Sequence, residues 1–218
     1  MGWNLDYIKN HVDDCKGLYA IESSLYCSKH IIDKVGADLI TNDVETDWQK
    51  GHPSRFDLVI MRHSLEHFLN PMEVLRKVNF VLSDKGFIYI AVPDMMSPQG
   101  SLYNSYFRAV HTYYFSINTL LRVAALAQLK SVVIKSENGE IWCVLKKATD
   151  NYTVNSNSVF IKQLNVINTY GRKRFFKDKI IFLPKMLMKN SPKFLKALFP
   201  KPLKEFIRRY LRSKSPQS

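Results

Sequence analysis

Cysteine is scarce in this 218-residue chain. Cys15, Cys27 and Cys143 stand far apart, with no Cys-x-x-Cys pair and no Cys/His cluster. That argues against a disulfide framework and a zinc site, and points to a reducing compartment. No metal is expected from this pattern. Long apolar runs are missing too: no stretch approaches the roughly 18 residues a membrane helix needs. The first residues carry Asp6, Asp13 and Asp14 and lack an apolar run, which reads against a signal peptide. No internal repeat is visible, so nothing indicates a solenoid.

Acidic residues are nearly absent from one region only. Residues 151–218 hold sixteen of the 32 Lys and Arg but only two of the 19 acidic residues, Asp178 and Glu205. Residues 1–150 are close to neutral. This asymmetry is the strongest boundary signal, and it divides the chain into a domain over 1–150 and a basic amphipathic helical tail over 151–218. The apolar and charged fractions, 46% and 23%, are those of a globular protein with a real core.

What is present alternates. "NLDYIKNHV" places Leu5, Ile8 and Val12 at helical intervals, with Asn4 as expected N-cap. "GLYAIE" reads as a short strand, and "SSLYCSKHIIDKVG" as a helix capped by Ser23 or Ser24 and stopped by Gly36. "ADLITND" is a further short strand and "WQKGHPSR" a loop. "FDLVIMRHS" is apolar on both faces, which predicts a buried parallel strand. A helix follows from Pro71, with Gly86 after its end; then comes the strand "FIYIAVP". "SINTLLRVAALAQL" is a helix, and "KSVVIKSE" and "EIWCVLKK" are two strands turned by "NG". Such alternation predicts an α/β fold: a Rossmann-like, mostly parallel sheet with helices on both faces.

The stretch 56–94 carries several signatures in order: Phe56-Asp57-Leu58-Val59, Leu65-Glu66-His67 with Pro71, Gly86, and Val92-Pro93. It resembles the middle of class I S-adenosylmethionine-dependent methyltransferases, most closely the small bacterial branch among surface-sugar and quinone modification enzymes. The later "HTYYFSINTLLRVAALAQLK" resembles that branch as well. The resemblance covers residues 1–148. In that family the first strand ends in a glycine-rich loop, and about 20 residues later the next strand ends in an acid that binds ribose hydroxyls. Gly2 and Glu22 match the end of that loop and that acid. The resemblance therefore implies an N-terminally truncated fold, lacking the first strand and most of the loop, and weak or no cofactor binding.

The resemblance implies S-adenosyl-L-methionine as cofactor, with Gly2, Glu22, Asp43, Arg62 and His63 as binding candidates. Glu22 is read either as the ribose acid or as a helix-cap acid, and Asp43 either as an adenine contact or as a loop residue. Gly2 is either a close-approach glycine or a flexible terminal residue. His67, His63 and His111 are the catalytic candidates, since an imidazole suits proton removal near neutrality. For His67 and His111 a structural loop role stands beside the catalytic one. Asp94 is a further pocket candidate. Tyr103, Tyr106, Phe107, Tyr113, Tyr114 and Phe115 either shape an acceptor pocket or pack as core and lid.

In the tail, Leu203, Phe206, Ile207, Tyr210 and Leu211 share a helical face opposite Lys204, Arg208, Arg209 and Arg212. This basic amphipathic pattern over residues 171–214 fits an anionic membrane surface. Packing on the domain, a dimer surface and charge-driven nucleic-acid binding are the other readings; no base-reading motif is visible, so no specific nucleic acid is expected. The functional expectation is a methyltransferase acting on a hydroxyl or amine of a sugar, glycan or other small molecule, cytoplasmic and peripheral at the inner face of the membrane. The alternative is a non-catalytic adaptor built on a truncated methyltransferase fold.

Overall fold

The computed structural model describes residues 2–52, 55–99, 102, 106–149 and 159–176, without the side chains of residues 3 and 171–176. The chain divides into two compact units, Met1–Phe160 and Ile161–Ser218. In the first, α1 (Trp3–His11), β1 (Tyr19–Ile21), α2 (Leu25–His30) and β2 (Asp38–Thr41) are followed by a one-turn α3 (Trp48–Gly51) and β3 (Phe56–Arg62). A 3-10 turn (Leu65–His67) leads to α4 (Pro71–Val81), β4 (Leu82–Pro93), α5 (Ile117–Leu126), β5 (Leu129–Glu137) and β6 (Glu140–Lys147). This is the expected α/β fold flanked by helices. Of the second unit, the described part is α6 (Val159–Phe176), which starts at the end of the first.

Local chemistry explains the boundaries. Ser24 caps α2 by accepting from Cys27 N, and Gly36 ends its π-helical extension at φ 74°. Asn70 caps α4, with Pro71 at its first turn. Ser116 and Thr119 form a capping box on α5. Asn138 and Gly139 both have positive φ, as a tight hairpin turn requires. Two local expectations are corrected. The N-cap of α1 is Gly2 rather than Asn4, because a glycine in the left-handed region turns the chain into the helix. Residues 48–51 form a turn of helix where a loop was expected, with Gln49 buried.

The strands form two sheets. β1 and β2 pair in parallel. β3, β4, β6 and β5 form the other, with β3–β4 parallel and β6 antiparallel to both its neighbours. The first strands of the two sheets touch through the rings of Tyr19 and Phe56, 5.4 Å apart. β1 and β3 are not paired with each other, and each has one partner strand among the described residues. This corrects the expectation for residues 56–61: the strand lies at an edge, with Leu58 49% exposed and Met61 buried. The core divides the same way. Ile31, Val35 and Ala37 form a small cluster beside β1 and β2, while Val74, Leu75, Ile88, Ile90, Leu120 and Ile141 belong to the main one.

Candidate active site

β3 and β4 run parallel, so their carboxyl ends lie at the same edge of the sheet, where ligands bind in α/β folds. β3 ends at Arg62. His63 donates its backbone N–H to Ala91 O at 2.8 Å, then turns the chain at φ 51°. A left-handed histidine is uncommon, and the turn drops the chain into the 3-10 turn that carries Glu66 and His67. The segment 108–115 is stitched onto that turn. Thr112 N and Tyr113 N donate to Glu66 O at 2.9 and 3.1 Å, and Tyr113 Oη donates to Leu69 O at 3.1 Å. His111 is thereby brought against His67, with ring centroids 4.8 Å apart.

Glu66 is the centre of the cluster and is 2% exposed. Its Oε1 lies 3.6 Å from His63 Nδ1 and 3.9 Å from His67 Nε2. Its Oε2 has no protein partner among the described residues. Burial raises the Glu66 carboxyl above the usual carboxylate range, against the opposing pull of its own backbone, His67 and His63. Burial, and then the neighbouring His67 and Arg108, hold His111 below the ordinary histidine range, favouring a neutral ring.

Tautomers follow from the contacts. His67 Nδ1 is 2.8 Å from Val110 O. A carbonyl only accepts, so Nδ1 carries the hydrogen and neutral His67 keeps its lone pair on Nε2. That nitrogen can take a proton or bind an ion. His63 Nε2 lies 3.3 Å from Glu140 Oε2, which also meets Arg62 Nη2 at 3.4 Å. Glu140 opens β6 and reaches the site because it pairs with Pro93 at the end of β4. Sequence reasoning missed Glu140; only the antiparallel register of β4 and β6 places it there.

The structure therefore brings His63, His67, His111 and Arg62 together, with Glu66 and Glu140. Glu22 and Asp43 stand at the carboxyl ends of β1 and β2, in the other sheet. Glu22 is half-buried, and its Oε1 accepts from Ser24 N at 2.9 Å. A carboxylate offers about four acceptor positions, so capacity remains for ribose hydroxyls, and both readings of Glu22 stand. Asp43 is exposed and accepts from Glu45 N at 2.8 Å, which makes it the cap of its own turn. Gly2 is in the left-handed region, and an added Cβ would meet Val35 Cγ2 at 3.1 Å. The left-handed backbone thus favours a glycine there independently of any ligand.

Asp94 does not face an open pocket. It is 3% exposed; Oδ1 accepts from Met96 N at 2.8 Å and Oδ2 from the Ser136 hydroxyl, tying β4 to the β5–β6 hairpin. Tyr103 and most of the basic segment 171–214 lie outside the described residues, which reach the backbone of 176. Of the other aromatics, Phe115 is core. Tyr106, Phe107 and Tyr114 pack on one another, and Tyr114 bonds the backbone of Arg108. No helix among the described residues is long and apolar enough to cross a membrane.

Several solved structures share this fold. A complex between the Haloferax volcanii Trm112 methyltransferase activator and a putative methyltransferase aligns with a TM-score of 0.54 at 12% identity, covering 69% of this chain and 79% of that one. LepI in complex with SAM aligns with a TM-score of 0.52 at 11% identity, covering 66% of this chain and 40% of LepI. A protein described as a pericyclic reaction enzyme gives 0.51, 11%, 66% and 40%. The chain thus spans well under half the length of these last two. At such identities the likeness is one of fold. No curated protein matches the chain. The methyltransferase domain family matches residues 2–133, well over half the sequence, and the chain belongs to that family.

Proposed function

We propose that this protein transfers a methyl group from S-adenosylmethionine to a hydroxyl or amine of a sugar, glycan or other small molecule. The cofactor supplies an electrophilic methyl group. Glu22 would hold its ribose through the acceptor capacity left on its carboxylate. His67 is the proposed proton acceptor. The observation that carries this assignment is its Nδ1 contact with Val110 O, which leaves a lone pair on Nε2 at the carboxyl edge of the sheet. His63, turned out of β3, and His111 line the same place, where an acceptor group meets imidazoles rather than bulk water alone. The small bacterial surface-sugar and quinone branch is the proposed place of this chain within the family, on the signatures of residues 56–94 and 111–130.

One observation favours a second reading. β1 and β3 touch at their first rings but each lacks a second strand neighbour among the described residues. We propose that a further parallel strand completes the sheet between them in the catalytic form. Without it the cofactor site has a wall on one side only, and the chain serves as a non-catalytic adaptor. Calorimetry of the chain with S-adenosylmethionine separates the readings. Low-micromolar binding, weakened at least tenfold by Glu22→Ala, supports the enzyme; no measurable heat supports the adaptor.

The basic residues of 171–214 support a proposed peripheral contact with anionic membrane on the cytoplasmic side. Co-sedimentation with anionic vesicles that survives deletion of residues 151–218 would reject it.

A further inference from the structure

We propose that Glu66, His67 and His111 form a binding site for one divalent first-row transition-metal ion. One donor atom from each of the three lies within 4.8 Å of the others. The donors come from two segments, the 3-10 turn after β3 and the strap 108–115, which backbone hydrogen bonds hold together. The cluster therefore does not depend on one mobile side chain.

Three observations converge on a cation. Glu66 is 98% buried, and Oε2 has no protein partner among the described residues. A buried carboxylate oxygen left without a partner is strongly unfavourable. His111 Nδ1 is buried and likewise has no hydrogen-bond partner among the described residues. His67 Nε2 holds its lone pair outward because Nδ1 is fixed on Val110 O. That last contact is the outer hydrogen bond that orients metal-binding histidines. One small cation would satisfy an anionic oxygen and two imidazole nitrogens at once.

The donor set indicates the ion class. Two imidazoles and a carboxylate suit zinc, manganese, iron, cobalt or nickel better than calcium or magnesium, which take oxygen ligands. Metal–ligand bonds of about 2.0–2.2 Å require the donors to sit about 3–3.5 Å apart. The three donors lie within 4.8 Å of one another, His67 Nε2 and Glu66 Oε1 being 3.9 Å apart, so ion binding requires the side chains to rotate inward and the carboxylate to turn Oε1 or Oε2 to the ion. His63, 3.6 Å from Glu66 Oε1, then acts from the second layer. Three protein ligands leave a coordination position that an oxygen of the acceptor can take; with the ion bound the His67 Nε2 lone pair is occupied, so polarisation of that oxygen by the ion would replace proton acceptance by His67. This role rests on the methyltransferase reading; the ion site does not.

The test uses the full chain stripped of metal by chelation, then titrated with Zn2+ by calorimetry and with Co2+ by visible absorption. The expected result is one ion per chain, with affinity falling at least tenfold in His67→Asn and again in His111→Asn. Glu66→Gln should do the same, and circular dichroism checks that each variant folds. Because Glu66 is in the core, the two histidine variants decide the matter if Glu66→Gln fails to fold. Absence of binding, or binding unchanged in the folded His67→Asn/His111→Asn double variant, overturns the proposal. No methyl donor is present in the titration, so its failure leaves the methyltransferase reading standing.

Discussion

Lys77 is a buried cation whose removal should loosen the loop after β2. It lies on α4, is 5% exposed, and its ammonium donates to Glu45 O at 2.7 Å, Thr46 O at 3.0 Å and Val44 O at 3.5 Å. All three protons of the ammonium are therefore used. Lys77→Met keeps most of the buried stem and deletes the donors. A hydrogen bond to a charged group contributes about 1.5–3 kcal/mol. The longest of the three is marginal, and Thr46 is exposed, so its carbonyl regains water. The loss should be about 2–4 kcal/mol. For a chain of this size each kcal/mol moves the midpoint by about 2–4 °C, which makes the expected drop about 5–15 °C. Urea denaturation at 25 °C followed by circular dichroism measures the free-energy loss, and a thermal scan the midpoint. The loop also carries Asp43, and Glu45 Oε1 accepts from Leu69 N at 3.0 Å, linking β2 to the turn before α4. Any cofactor affinity that depends on Asp43 should fall with the stability. A change below about 0.5 kcal/mol would show that the ammonium does not hold the loop, and the reasoning would be wrong.

Other outcomes follow from burial. Under native conditions an alkylating reagent should label Cys15, which is exposed, and Cys27, which is half-buried, while Cys143 stays unlabelled in mass spectra, because burial pushes its thiol up to about 12. The same thiol ionises near 9 once unfolded, so its contribution to stability is full below that pH and is lost as pH rises toward 12; Cys143→Ala should flatten that alkaline slope. Gly86→Ala should destabilise by about 1–3 kcal/mol, since its Cβ would lie 2.7 Å from Phe56 O at the irregularity between β3 and β4, whereas Gly51→Ala, with open space around it, should change little in the same denaturation assay. Amide hydrogen exchange should be faster in β1 than at Ile88–Val92 of β4, because β1 rests on the small cluster of Ile31, Val35 and Ala37; equal protection would mean the two sheets open as one unit.

The elements were legible where local chemistry decides them. Capping residues, Pro71, Gly36 and the Asn138–Gly139 turn each act within a few residues, and they mark the ends of α2, α4, α5 and the β5–β6 hairpin. Helix was expected in the tail, but the bounds of α6 were not, because the sequence of 159–176 carries no strong apolar stripe and the polar stretch before it reads as a linker. The site was legible only in part. His63, Glu66 and His67 are close in sequence and were visible as a group. His111 was named through the resemblance of residues 111–130, but its contact with His67 depends on the strap over the 3-10 turn; Glu140 joins through the β4–β6 register and leaves no local signal. Lys77 reads as an ordinary helix lysine until the loop carbonyls close around it.

β3 is where pattern and position disagree, and that disagreement is informative. Its residues are apolar on both faces, as suits a strand with neighbours on each side, yet its free edge leaves Leu58 half exposed. Edge strands usually protect themselves with charge, proline or a bulge facing outward. β3 has Asp57 and Arg62 near its ends but Leu58, Val59, Ile60 and Met61 between them. The rings of Tyr19 and Phe56 bring the N-terminal ends of β1 and β3 together, and among the described residues no strand pairs with the free edge of either. A parallel strand entering there would join the small core to the main one. It would also set Glu22, at the end of β1, and His63 and Glu66, after β3, on the two sides of one cleft. In that arrangement the acid proposed for the cofactor and the imidazoles proposed for the acceptor face the same space. Fluorescence from probes placed at Leu58 and Ala20 should then report their change of environment when such a strand is supplied as a peptide, and an unchanged signal at saturating peptide would reject the insertion.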